Sequence, residues 1–297
     1  MNKHNYIVMQ AYGQERILYE SLFAMLSYYA IHKERSKEIT FIIYTDQASW
    51  YPSAISEFVK VIFIPLSTTK IAEWRGAQSF VHRLKIKLLE DVSLHYDGNI
   101  LYIDTDTVFK KNCDALFSAI EEGALIMHTF EGIIEATDHP IINKLARFLE
   151  KESDAIAYKN KALYNAGVLG FNSSRRALIQ EVLQLTDNLY PRFEKHIVEQ
   201  FAFAFIFQQH YLKITASHIE HYWNIKEMGS IITSFFDYYG KDNWDVLAVK
   251  LAQIDLSTIA QEKISFYNNR SIWAKIQKKD WIAPLPNWEK LDSNLLN

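Results

Sequence analysis

Asp104 and Asp106 are the side chains of this sequence best placed to do chemistry. They stand one residue apart in Asn99-Ile-Leu-Tyr-Ile-Asp-Thr-Asp-Thr-Val-Phe109, directly after an apolar run. Ile100 to Ile103 are β-prone and bounded by Gly98-Asn99, so the run reads as a buried strand. A carboxylate at the end of such a strand loses solvation, which is costly unless a counter-charge is present. Residues two apart in an extended chain point to the same side, so both carboxylates can reach one cation, or one cation and a sugar hydroxyl. Oxygen ligands favour manganese or magnesium over zinc or copper. The competing reading is a turn or helix cap, for which Asp and Thr are both suited. The strand before the pair and Val108-Phe109 after it favour the metal site.

The elements around the pair alternate. Tyr6 to Met9 reads as a strand, Glu15 to Ile31 as a helix with a Leu18, Leu22, Met25, Leu26, Tyr29 stripe, Ile39 to Tyr44 as a strand, and Val59 to Ile64 as another ended by Pro65. Gln78 to Asp91 reads as a helix leading into the Asn99 strand. Such alternation implies an α/β fold with a mostly parallel sheet covered by helices. Ligands then bind at the carboxyl ends of the strands, where Asp104, Asp106, Gln10 to Gly13 and Thr45-Asp46 all lie. Further on, Ala124 to Met127 reads as a short strand, Ile141 to Lys151 as a helix, and Leu163 to Asn172 as a strand broken by Gly167 and Gly170. Ser173-Ser174 is a cap for a helix through Asn188, Ile197 to Gln208 is an apolar helix, and Tyr211 to Ala216 a strand.

Several chemistries are disfavoured by missing loops. The chain has no Gly-x-Gly-x-x-Gly, no phosphate-cradling Gly-x-x-x-x-Gly-Lys, no Gly-x-Ser-x-Gly elbow and no His-Glu-x-x-His. A nucleotide-diphosphate-sugar site fits a strand-end carboxylate pair best, because a metal can bridge the two phosphates.

Four segments in order carry a resemblance. Arg83-Leu-Lys-Ile-Lys87, Asn99 to Asp106, Tyr164-Asn-Ala-Gly-Val-Leu-Gly-Phe-Asn172 and Val198-Glu-Gln200 resemble glycosyltransferases of the GT-A fold, most closely the retaining family 8 type, over about residues 5 to 225. The resemblance implies a Rossmann-like mixed sheet and a metal-dependent transfer of sugar from a nucleotide-sugar, with a UDP-sugar favoured, to a glycan, lipid-linked or protein acceptor. It implies that Asp104 and Asp106 bind manganese or magnesium, with Asp104 also near the ribose. It further implies that Arg83 reaches the diphosphate or donor sugar, that Asn165, Ala166 and Gly167 face that sugar, and that Glu199 and Gln200 lie at its reactive face. Glu199 stands where the family has Asp, one methylene shorter. A third metal ligand is expected from a late histidine, here His221 in preference to His218, although the family's His-x-x-Gly-x-x-Lys pattern is absent. Gln10, Ala11, Tyr12 and Asp46 fall where relatives hold the base. Two other classes stay open: a nucleotidyltransferase that makes nucleotide-sugars, against which the single glycine of Ala11-Tyr-Gly-Gln-Glu-Arg16 argues, and a non-catalytic sugar- or nucleotide-binding protein.

The bulk numbers agree with an ordinary soluble globular protein. Of 297 residues 49% are hydrophobic and 23% charged, enough for a sizeable core, and the net charge of −3 points away from nucleic acid. A lone cysteine, Cys113, permits no intrachain disulfide and reads as structural. With no leader or apolar span legible, a cytoplasmic protein is expected. Residues 1–225 read as the catalytic domain and 226–297 as a helical or irregular extension rich in aromatics, facing acceptor or membrane. Its Asn269 to Trp281 stretch mixes Lys with Trp, as a segment lying on the inner membrane face would, or one packing its tryptophans on the domain.

Overall fold

The computed structural model describes residues 4–152, 154–270 and 280–295. Its strands are β1 (His4–Gln10), β2 (Thr40–Thr45), β3 (Lys60–Pro65), β4 (Gly98–Ile103), β5 (Thr107–Phe109), β6 (Leu125–Met127), β7 (Phe130–Ile133), β8 (Ala162–Tyr164), β9 (Val168–Asn172), β10 (Leu212–Ile214) and β11 (Ile219–His221). A seven-stranded sheet runs in the order β10-β6-β9-β4-β1-β2-β3. Only β9 is antiparallel to its neighbours, β4 and β6; the other pairings are parallel. Two antiparallel ribbons, β5–β11 and β7–β8, stand apart from it.

The unbroken apolar runs follow from burial on both faces of this sheet. In β4, Leu101 and Ile103 enter one core while Ile100 and Tyr102 enter the other; in β1, Ile7 and Met9 part from Tyr6 and Val8 in the same way. The first core is closed by the helices Glu15–His32 and Asp114–Glu121, the second by Arg83–His95, Arg176–Leu189 and Ile197–Phe207. This is the mixed, mostly parallel α/β arrangement that the sequence implies.

Three elements depart from the sequence reading for identifiable reasons. The helix expected from Gln78 starts at Arg83 and runs to His95, because Gly76 and Ser79 take positive φ (70° and 51°) and hold 76–82 in turns. The strand expected over Leu163–Asn172 splits into β8 and β9, which join different sheets. The Asn165 side chain accepts from the Gly167 N–H at 2.9 Å and turns the backbone there. Ser173-Ser174 enters a 3-10 turn whose cap is the Asn172 side chain, and the α-helix begins at Arg176.

The segment from Met228 onward shares the first core. Phe235 packs on Phe23 (6.2 Å between ring centres) and Trp244 stacks on Phe58 (5.6 Å) against Tyr29. Trp281 and Trp288 are buried there as well. Trp273 and the lysines at 275, 278 and 279, on which the membrane reading rested, lie outside the described residues. Among the described residues no helix is long and apolar enough to cross a membrane. Cys113 is a buried free thiol beside His32.

Candidate metal and sugar site

Asp104 follows β4 directly, and its backbone N–H donates to the Gly167 carbonyl at 2.8 Å across the β4–β9 seam. Asp106 precedes β5. In the ribbon that β5 forms with β11, His221 pairs with Thr107, and the Tyr222 N–H donates to the Asp106 carbonyl at 3.0 Å. That register brings His221 to the carboxylates from 115 residues away in sequence: its Nε2 lies 3.1 Å from Asp106 Oδ1 and 3.9 Å from Asp104 Oδ2. One ligand atom from each of Asp104, Asp106 and His221 falls within 4.8 Å of the others. Two carboxylate oxygens and an imidazole nitrogen in this spacing could hold a divalent cation.

The electrostatics favour a cation. Asp104, Asp106, Glu131 and Glu199 all line the cavity here, and Lys85 is the one Lys or Arg among its described lining residues. Burial pushes the Asp106 carboxyl up, but the hydrogen bond and charge of His221 outweigh it and hold it below 3.8. Burial pushes the His221 imidazole down, and Asp106 and Asp104 more than reverse this. Lys85 is almost wholly buried, with Nζ 3.4 Å from Asp104, 3.2 Å from Glu199 Oε1 and 3.1 Å from the Ala166 carbonyl that accepts from it. Burial raises the Glu199 carboxyl to about 7 despite Lys85. The Tyr102 hydroxyl donates to Asp104 Oδ1 at 2.7 Å.

Beside this cluster opens a cavity of about 610 Å³. Asn165, Ala166, Gly167, Glu199 and Gln200 line it, with Ile141, Ile142 and Ile197 on its apolar side and Trp223, 53% exposed, at its wall. Glu131 joins two of the expected residues: its carboxylate accepts from Asn165 Nδ2 at 3.0 Å and from Gln200 Nε2 at 2.7 Å.

The remaining expected residues lie elsewhere. Arg83 turns away from the cavity and forms a two-pronged pair with Asp187, at 2.7 and 2.9 Å, while Nη1 donates to the Trp74 carbonyl. The cation inside is Lys85, two positions on, which the sequence offered only as a neighbour of Arg83. Gln10, Ala11, Tyr12 and Asp46 gather at the ends of β1 and β2, outside the described lining of the cavity. There Asp46 accepts from the Gly13 N–H at 3.2 Å, Arg75 donates to the Tyr12 hydroxyl at 3.2 Å, and the buried Gln10 Oε1 has no partner. Glu131 and Lys85 are lining residues to which the sequence reading gave no role; Trp223 stands in Tyr222-Trp-Asn224, which resembles a binding loop after His221, and Lys85 was visible only as a charge beside Arg83.

No family model matches this chain, and no similar curated protein was found. Among solved structures, the chain is similar to mouse xyloside xylosyltransferase 1 in its apo form, at 15% identity over 71% of this chain and 85% of that one, with a TM-score of 0.48. A likeness at that level does not bear on activity.

Proposed function

We propose that the protein is a metal-dependent glycosyltransferase of the GT-A type. It moves a sugar from a nucleotide-diphosphate-sugar, with UDP favoured, to a glycan, lipid-linked or protein acceptor, with retention as the family resemblance implies. The observation that carries this reading is the convergence of Asp104, Asp106 and His221 at the carboxyl end of a mostly parallel sheet, beside a cavity large enough for a sugar and its acceptor. The nucleotide lies toward Gln10, Tyr12 and Asp46, which are not among the cavity's lining residues, and the transferred sugar lies within the cavity.

Glycosyl transfer develops positive charge on the sugar ring and negative charge on the departing diphosphate. A divalent cation at Asp104, Asp106 and His221 supplies Lewis-acid stabilisation of that diphosphate. Lys85, fixed by Glu199 and the Ala166 carbonyl, adds a second positive charge at the same end. Gln200 donates its amide hydrogen to Glu131, which leaves its carbonyl oxygen as the dipole offered to the electron-poor ring. Trp223 gives the acceptor sugar an apolar face to stack on.

The test is nucleotide release from a panel of UDP- and GDP-sugars with and without manganese, for the wild type and Asp106→Ala. Manganese-dependent turnover with one donor, lost at least about 100-fold in the variant while its melting is retained, supports the proposal. Nucleotide binding without turnover moves the protein to the non-catalytic class. Metal-dependent turnover unchanged in Asp106→Ala contradicts the site.

A further inference from the structure

We propose that Asn165, clamped between the Gly167 amide and the Glu131 carboxylate, is the positioning residue that fixes His221 as the Nδ1–H tautomer and so presents Nε2 as a metal ligand. The inference rests on the metal reading of the site and assigns Asn165 and Glu131 a part in it.

A side-chain amide has a donor end and an acceptor end, and only its partners decide which way it points. At Asn165 both ends are decided. The backbone N–H of Gly167 donates to Oδ1 at 2.9 Å, and a backbone N–H has no other role open to it. Glu131 Oε1, an acceptor, takes Nδ2 at 3.0 Å. The reversed amide would set donor against donor at Gly167 and acceptor against acceptor at Glu131. Oδ1 therefore faces the His221 ring, 2.9 Å from Nδ1, where only a protonated Nδ1 completes the contact. Nε2 faces Asp106 Oδ1, also an acceptor, at 3.1 Å, so without a metal both ring nitrogens meet acceptors; a metal would take the place of the proton at Nε2 and leave the one that Asn165 holds at Nδ1. Asn165 is 6% exposed, so water competes little for these contacts. Metal-bound histidines are commonly oriented through their second ring nitrogen, and loss of that partner weakens metal binding by roughly 10–100-fold.

The residue after next matters too. A Cβ built on Gly167 would lie 2.1 Å from His221 Nδ1, so the ring occupies the space a side chain would fill. Asn165 and Gly167 thus act on one ring, through its polar edge and through its volume.

The experiment reads the tautomer and the affinity separately. Long-range proton–nitrogen spectra of His221, recorded on the wild type saturated with magnesium, should show the proton on Nδ1. Manganese affinity, followed by the paramagnetic resonance of free ion, should fall about 10–100-fold in Asn165→Leu. Asn165→Asp keeps an acceptor for His221 but sets a carboxylate against Glu131, so it should weaken binding as well. Adding Glu131→Gln to it restores a donor–acceptor match and should return the affinity to within about threefold of wild type, which a merely structural role would not do. A proton on Nε2 in the magnesium-saturated wild type overturns the proposal without any variant. Unchanged affinity in Asn165→Leu, or a double variant no better than Asn165→Asp, also overturns it. A wild type that binds no manganese overturns the metal reading and, with it, the role given to Nε2.

Discussion

Gly167 carries the His221 ring against its own α-carbon, where a methyl group would overlap three ring atoms. Gly167→Ala should push the ring off Asp106, lower manganese affinity by about 10-fold or more, and destabilise the protein by about 1–3 kcal/mol; metal titration and denaturant unfolding check the two parts. A second residue-scale effect is a pH dependence. Glu20 is 5% exposed beside Thr105, and burial raises its carboxyl from 4.5 to about 7, with Arg16 opposing and Asp106 adding to the rise. The Tyr222 ring, itself buried, faces the same group. Below pH 4.5 Glu20 holds a proton folded or unfolded and contributes nothing to the balance. As pH rises from 4.5 through 7 only the unfolded chain has released it, so stability falls, by at most about 3 kcal/mol. Glu20→Gln should flatten the drop in melting temperature between pH 5 and pH 8; an unchanged drop would contradict the assignment.

The elements show what the sequence exposes and what it hides. β1, β2 and β4 are legible because burial on both faces makes each a continuous apolar run, and the edge strand β3 because Val61 to Ile64 form an apolar run closed by Pro65. Asp104 and Asp106 are legible for the same reason, as polar residues where such a run stops. The His221 contact depends on the β5–β11 register, two three-residue strands far apart in sequence, which no local pattern specifies. Lys85 was hidden because a lysine in a helix reads from sequence as an exposed cation, and here it is buried. With the helix beginning at Arg83, Lys85 falls on the face that buries Leu84, Ile86, Leu88 and Leu89, while Arg83, in the first turn, reaches Asp187. Both are cations, so charge alone could not choose between them. Lys85→Met should therefore reduce turnover far more than Arg83→Ala, whose partly exposed ion pair is worth about 1 kcal/mol or less. The reverse order in steady-state kinetics would return the diphosphate contact to Arg83. Gly170 makes a similar point in the sheet: a Cβ there would lie 2.7 Å from Ile126 on the neighbouring strand, a close approach that the sequence shows only as a glycine in a strand.

Across the whole molecule, the aromatic segment after Met228 and the first helix bury their rings in one core, so the site-bearing sheet and the C-terminal helices should unfold together. Trp244→Ala removes a fully buried ring that stacks on Phe58 and meets Tyr29, and should cost about 3–5 kcal/mol. Fluorescence and circular dichroism should still report one coincident transition; two separate transitions would show the segment to be an independent unit. The carboxylate-rich cluster around Lys85 gives the molecule a built-in demand for a cation, and under the proposed function a nucleotide diphosphate would supply further oxygen ligands. The central claim is tested most directly by thermal stabilisation with UDP and GDP, each with and without manganese, in the wild type and Asp106→Ala. The account predicts a rise in melting temperature with one nucleotide, present only with manganese and absent from the variant, since a ligand bound to the native state alone must stabilise it. A nucleotide shift of equal size without manganese, or one that survives in Asp106→Ala, would contradict it.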